Sequence, residues 1–137
     1  MVLVDSPVWI EAARRTGDIG TKVALECLLA EYEAVLCAPV RLEVLGWARK
    51  EERTELDLGF QSIPFLHVLD KDWQAAVKNA WTVRDRGHSV PWNDLLIATL
   101  AVRAGFRVFA RDKHFEAMAP ILGFGLYVPG YGGSYAP

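Results

Sequence analysis

The amino-acid sequence predicts an α/β protein, a three-layer α/β/α sandwich around a mainly parallel sheet of five strands. Three observations lead there. Short segments such as "VLV", "AVLC" and "FRVFA" alternate along the chain with longer helical patterns. These segments are apolar at nearly every position rather than at every second one, the mark of strands covered on both faces, as parallel sheets are. The chain has 137 residues, 52 % apolar and 23 % charged, enough for one continuous core and too apolar for disorder. Right-handed crossovers then place helices on both faces of the sheet. No internal repeat or linker divides residues 1–128, which read as one domain, followed at 129–137 by a Gly/Tyr-rich tail, "GYGGSYAP", of flexible composition.

"VLV" (2–4) is the first strand. Asp5, Ser6 and Pro7 stop it and start a helix, with Ser6 as N-cap, Pro7 at the first helical position and Gly17 as the stop. "GTKVALECLLAEY" is a second helix with Val23, Leu25, Leu28 and Leu29 on its apolar face, and "AVLCAP" is the second strand. The stretch from Val40 to Ile63 is helical in character, with a break near Lys50 that makes it two helices. "PFLHVL" is the third strand, and Asp70 to Arg84 a long helix capped by Asp70 or Asp72 and closed near Gly87. A nearly all-apolar helix around Asp94 ends at Gly105. "FRVFA" is the fourth strand, "DKHFEAMAPIL" a short helix and "GLYVP" the fifth strand.

Composition narrows the function. A net charge of −2 and a pI near 5.9 are not the footprint of a duplex-DNA binder, although a nuclease whose catalytic acids cluster carries such a charge. Cys27 and Cys37 lack metal-type Cys/His spacing and read as buried thiols of a cytoplasmic protein. "MVLVDSPVW" has no basic segment followed by a long apolar one, so no leader is expected, and no apolar run approaches the roughly 20 residues of a membrane span.

In an open α/β sheet, ligands bind outside the carboxyl ends of the strands. Asp5 ends the first strand, Glu43 follows the second, Asp70 and Asp72 follow the third, Asp94 opens the helix before the fourth, and Asp112 follows the fourth. Asp5, Asp70, Asp72 and Asp112 are each in place to cap a helix. Glu43 is harder to treat so, because Val40, Glu43, Val44 and Trp47 fall at i, i+3, i+4 and i+7 and put the acid beside an apolar stripe. Asp94 has Ala98 and Ala101 beneath it, small residues that suit close packing. Buried carboxylates need a partner or a cation. Several of them in one low-dielectric cleft repel, and a divalent ion removes that penalty. Oxygen ligands without Cys or His favour Mg2+ or Mn2+ over zinc.

Four segments, "VLVDSPVWIEAAR", "APVRLEVLGWAR", "VPWNDLLIATLAVRAG" and "VFARDKHFEAMA", resemble in order and spacing the motifs of PIN-domain ribonucleases, above all the VapC-type toxins of bacterial toxin–antitoxin pairs. The resemblance runs from Val2 to about Val128. It implies a PIN-like fold and a metal-dependent endoribonuclease that leaves a 5′-phosphate and a 3′-hydroxyl. By motif, Asp5, Glu43, Asp94 and Asp112 form its acidic, metal-holding catalytic pocket, with Mg2+ or Mn2+ as cofactor. Asp70 and Asp72 match no motif and stay helix caps. Ser6 is a hydroxyl that supports the acids or holds water. Two positions depart from the family pattern: Ala110 stands where Thr or Ser is common, and His114 where an acid is. They motivate an alternative, a PIN module that binds RNA or a partner without cutting.

Arg14, Arg15, Arg49, Lys50, Arg53, Arg111 and Lys113 lie near the same edge and could hold phosphates, Arg14, Arg49, Arg111 and Lys113 foremost. Trp9, Trp47 and Trp92 could stack on a base but read first as core or interface. His67, His88 and His114 are scattered and compose no catalytic triad, and His114 reads as a helix-end or RNA-facing residue. A phosphatase of the D-x-D kind is disfavoured because Ser6 and Pro7 follow Asp5. The resemblance also implies a homodimer and a cognate antitoxin whose segment lies in an apolar groove, for which Trp9, Ile10, Leu28, Leu29, Val44 and Trp47 are the candidates. RNA is the other partner, whether tRNA, rRNA or mRNA, and no membrane is involved.

Overall fold

In a computed structural model, residues 1–130 are described. The elements follow as β1 (Val2–Val4), α1 (Ser6–Ala13), α2 (Ile19–Ala30), β2 (Ala34–Cys37), α3 (Ala38–Gly46), α4 (Arg53–Gln61), β3 (Phe65–Leu66), α5 (Asp70–Asp85), α6 (Trp92–Ala104), β4 (Arg107–Phe109) and α7 (Lys113–Leu122). The strands are parallel and ordered β3-β2-β1-β4. Val2, Leu3 and Val4 face Arg107, Val108 and Phe109 across the β1–β4 ladder, and the chain places β4 on the side of β1 away from β2. The order therefore reverses at the β1–β4 boundary, the switch point at which such sheets open a crevice.

Four strands form where five were expected. The fifth is reduced to one parallel bridge, Val108 to Leu126, with the Val108 amide donating to Gly125 and the Tyr127 amide to Val108. Gly123 and Gly125 before it and Pro129 after it leave few residues able to extend a ladder. β2 stops at Cys37 rather than at Pro39 because that proline takes a first-turn position of α3, where its missing N–H costs nothing. β3 holds two residues at the sheet edge. Residues 131–137, most of the expected tail, lie outside the described part.

Helix starts differ from expectation in an informative way. Asp5, not Ser6, occupies the N-cap position of α1, and its side chain makes no cap bond, so Ser6 is free to point elsewhere. After α1 ends at Ala13, the chain passes so close to itself that a Cβ on Gly17 would stand 2.1 Å from the Glu11 carbonyl oxygen. α6 is buried on all sides from Asp94 to Ala101, which explains its apolar sequence. It ends at Gly105 in the left-handed conformation (φ 70°) that glycine takes without penalty. Its one buried hydroxyl, Thr99, donates to the Leu95 carbonyl and accepts from Asn79 of α5.

Asp70 and Asp72 divide. Asp70 is exposed, whereas Asp72 is buried, accepts the Leu69 amide at 2.7 Å and pairs with the Arg103 Nε at 2.6 Å. Burial alone would raise the Asp72 carboxyl, but Arg103 and the Leu69 amide together hold it below the usual range. Arg103 also donates to the His67 carbonyl, so one ion pair ties the start of α5 to the end of α6 and to the β3 exit. We predict that Asp72→Ala destabilises the fold by about 2–3 kcal/mol, because it leaves a mostly buried guanidinium and an amide unpaired. Asp70→Ala should change stability by less than about 0.5 kcal/mol. Equal effects in urea denaturation would refute this assignment.

Candidate acidic active site

Three chain features bring the acids together. Asp5 is the residue after β1, and its amide donates to the Phe109 carbonyl at the end of β4, fixing it at the switch point. Asp112 is the N-cap of α7, three residues past β4, and its carboxylate accepts the His114 amide at 3.0 Å. Asp94 lies in the first turn of α6 but caps nothing, and Glu43 comes in from α3. Ala98 and Ala101, both fully buried, let α6 approach this edge closely.

Each acid has its own surroundings. Glu43 accepts the Ser6 hydroxyl at 2.6 Å on one oxygen and the Asn93 side-chain amide on the other. The ring of His114 lies between two acids, its Nδ1 being 3.0 Å from Asp94 and 2.9 Å from Asp112. Asp5 is only 2 % exposed, and its Oδ1 is the one buried side-chain oxygen or nitrogen among the described residues with no hydrogen-bond partner. Burial pushes its carboxyl up to about 7, the Ser6 amide opposes, and Asp94, Glu43 and Asp112 add their repulsion. The Asp94 carboxyl is raised too, chiefly by burial, against the pull of His114. The mutual effects show that the four carboxylates share one field.

The donor set fits a divalent cation. Asp94, Asp112 and His114 offer atoms within 4.8 Å of one another. The orphaned Asp5 oxygen supplies a further acceptor that no group of the chain satisfies. Cys37, at the end of β2, does not compete. Burial pushes its thiol up to about 12, with Asp5 and Glu43 adding and the Val40 amide opposing, so it stays protonated.

Other sequence candidates distribute differently. Arg111 donates to the Thr21 hydroxyl at 2.8 Å and lies 3.9 Å from Asp18, while Lys113 is exposed in the first turn of α7. Both adjoin Asp112. Arg14 and Arg49 instead line a separate groove of about 1150 Å3 that none of the four acids lines. Arg49 is held there by Glu52 at 2.6 Å. Among the apolar candidates for a partner surface, Trp9, Leu28 and Val44 are in the core, whereas Ile10, Leu29 and Trp47 remain partly or well exposed. Trp9 donates to the Val4 carbonyl and packs edge-on against Phe60. Trp92 is 74 % exposed beside Asn93, not core. Sequence reasoning missed Asn93 and set His114 outside the acid pocket. The available signals were an amide in the first turn of an otherwise apolar helix and the spacing D-x-H at a helix start.

Comparison with known proteins follows the same lines. A family model described as PIN domain matches residues 2–120. The chain is 36 % identical over 126 residues to VapC ribonuclease Mb1587 of Mycobacterium bovis, spanning 88 % of this chain and 93 % of that one. Identity and coverage are the same for ribonuclease VapC11 of Mycobacterium tuberculosis. Among solved structures, FitAcB from Neisseria gonorrhoeae superposes with a TM-score of 0.73 at 16 % identity, covering 94 % of this chain and 98 % of that one. VapBC2 from Rickettsia felis, bound to a promoter DNA fragment, gives 0.74 at 17 %, covering 92 % and 97 %. These two share the fold.

The raised Asp5 carboxyl has a signed consequence. In the unfolded chain it ionises near 3.8, in the folded protein near 7. Between those values the unfolded state releases its proton first, so folding stability falls as pH rises through this window and the full cost is present above it. The metal-free protein in chelator should melt higher at pH 5 than at pH 8. Asp5→Asn should flatten that dependence and raise the melting temperature at pH 8 by about 5–10 °C. Identical pH dependence in wild type and Asp5→Asn would show that Asp5 is not the strained acid.

Proposed function

The chain belongs to the PIN-domain family, beside the VapC ribonucleases, and from that membership we propose that it is a metal-dependent endoribonuclease acting as the toxin of a toxin–antitoxin pair. The observation that carries the reading is the convergence of Asp5, Glu43, Asp94 and Asp112 on one sheet edge around a buried carboxylate oxygen that lacks a partner. We take residues 1–128 as the catalytic unit.

Asp5, Glu43, Asp94 and Asp112 would hold Mg2+ or Mn2+, which supplies an oriented, acidified water and neutralises charge on the scissile phosphate. The chain's own groups set the stage. Ser6 and Asn93 each donate to a different oxygen of Glu43, so that carboxylate is fixed in orientation. The ring nitrogen of His114 lies within hydrogen-bond distance of both Asp94 and Asp112 and links them. Lys113 and Arg111 flank Asp112 and provide positive charge for the phosphates on either side of the cut. Trp92, exposed at the head of α6, offers a flat face for an unstacked base. Single-stranded or looped RNA suits such a site, because bases must be splayed to reach it.

Two further surfaces have roles in this reading. The groove lined by Ile10, Leu25, Leu29, Trp47, Phe60 and Ile63, with Arg14, Arg15 and Arg49 among its walls, is assigned to an amphipathic antitoxin segment. On α5, Trp73, Val77 and Trp81 recur at i, i+4 and i+8 and are all exposed, a stripe that a second copy would cover in a homodimer. No helix among the described residues is long and apolar enough to cross a membrane.

Purified protein incubated with structured RNAs should cut only with Mg2+ or Mn2+, not with EDTA. Asp5→Asn and Asp94→Asn should each lower the rate at least about 100-fold while remaining folded. Ser6→Ala and Asn93→Ala should each cost about 10-fold, since either donor alone still holds Glu43. Absence of metal-dependent cleavage by antitoxin-free protein would leave a binding module without catalysis. For the partner, Ile10→Arg should weaken the complex with the product of the neighbouring gene by about 10-fold or more without affecting RNA cleavage. An unchanged affinity would move the antitoxin to another surface.

A further inference from the structure

We infer that His114 is itself a metal ligand, and that with Asp94 and Asp112 it forms a mixed nitrogen–oxygen seat that takes a first-row transition-metal dication, such as Mn2+, in preference to Mg2+. The inference rests on the metal-dependent reading above and adds the identity of one ligand and the selectivity it confers.

Geometry is the first support. The imidazole Nδ1 stands 3.0 Å from Asp94 Oδ2 and 2.9 Å from Asp112 Oδ1, and the three donors lie within 4.8 Å of one another. Neighbouring ligands of an octahedral ion with bonds near 2.1 Å are separated by about 3 Å. The nitrogen is thus already spaced from each of the two oxygens as one corner of such a shell is from the next.

The backbone holds His114 close to one of the acids. His114 is the second residue of α7, and its amide binds Asp112, the same acid its ring faces. The main chain thus keeps this side chain within reach of Asp112. A second, independent observation points to a cation: Asp5, 2 % exposed, has a buried oxygen with no hydrogen-bond partner and lies close enough to Asp94 and Asp112 to feel their charges. A histidine that only neutralised acids would leave that oxygen unexplained.

Chemistry then sets the preference. Mg2+ is a hard ion that takes oxygen ligands and gives up water reluctantly. Imidazole suits transition ions, whose affinity for nitrogen donors rises from Mn2+ along the row. A neutral nitrogen in place of another carboxylate also lowers the negative charge of the pocket, which weakens the purely electrostatic hold that Mg2+ relies on.

The test uses the full chain, titrated calorimetrically with Mn2+ and with Mg2+, as wild type, His114→Asp and His114→Ala, each checked for an unchanged fold by circular dichroism. Pulsed EPR of the Mn2+ complexes reads the ligand directly. Wild type should show nitrogen hyperfine modulation from a coordinated imidazole, absent in both variants. The ratio of Mn2+ to Mg2+ affinity should fall by about tenfold in His114→Asp, the scale on which one contact matters at a metal site. Mn2+ bound tightly without nitrogen modulation, or an unchanged affinity ratio, would overturn the inference and leave the metal-dependent nuclease standing. No binding of either ion would remove both.

Discussion

Asp5 is buried where β1 and β4 end, within the field of Asp94, Glu43 and Asp112, and that burial of a carboxylate is the constraint on which the rest of this site depends. Each of the four acids is managed by different means. Glu43 is held by a hydroxyl and an amide, Ser6 and Asn93. Asp94 and Asp112 share the ring of His114. Asp5, with one oxygen unpartnered, keeps its proton far above the usual carboxylate range. The chain supplies hydrogen bonds for three acids and leaves an oxygen of the most buried one without a partner, so the network is not complete in itself.

The architecture serves that convergence. β1 is central, so Asp5 emerges between elements leading to β2 on one side and β4 on the other. The reversal of strand order beside it opens room that a continuous winding direction would fill. α6 must then enter the same space while bringing its own acid. It does so as a helix buried on every side, with Ala98 and Ala101 allowing close approach and with Asp72–Arg103 anchoring its far end. Substitutions that enlarge that floor act on the site through packing rather than through charge.

A groove of about 1150 Å3 lies beside α1, α2 and α4, apart from the acids. The two surfaces differ in chemistry. An acidic, partly exposed cluster suits a polyanion once a cation is present, whereas a groove lined by Ile10, Leu29 and Trp47 recovers energy from apolar burial. Arg14 and Arg49 therefore belong to the groove, while Arg111 and Lys113 belong to the acids.

Much of the fold was legible in the sequence because it rests on local rules. Apolar runs marked β1, β2 and β4. Glycine marked the ends of α5 and α6, and the gap around Lys50 separated α3 from α4. Asp5, Glu43, Asp94 and Asp112 were recognisable as acids placed at strand exits or beside apolar stripes, where a carboxylate needs a reason. What sequence could not decide was which neighbour each side chain chooses. Ser6 looks like a cap until α3 brings Glu43 within reach across 37 positions of chain. Asn93 acquires meaning only when α6 meets α3, His114 only when α6 and α7 pack together, and Asp72 becomes an ion-pair partner only when α6 delivers Arg103. The fifth strand shrank to one bridge because Gly123, Gly125 and Pro129 around it leave few residues to extend a ladder, whatever the run of apolar residues suggests. The sequence by itself determined the periodicities and the stops, since these follow from residue type and spacing, while its resemblance to PIN-domain ribonucleases singled out Asp5, Glu43, Asp94 and Asp112 among the acids at the strand exits. Only the tertiary structure decided the partners, because distances between residues remote in the chain arise from packing, and packing is a property of the whole core.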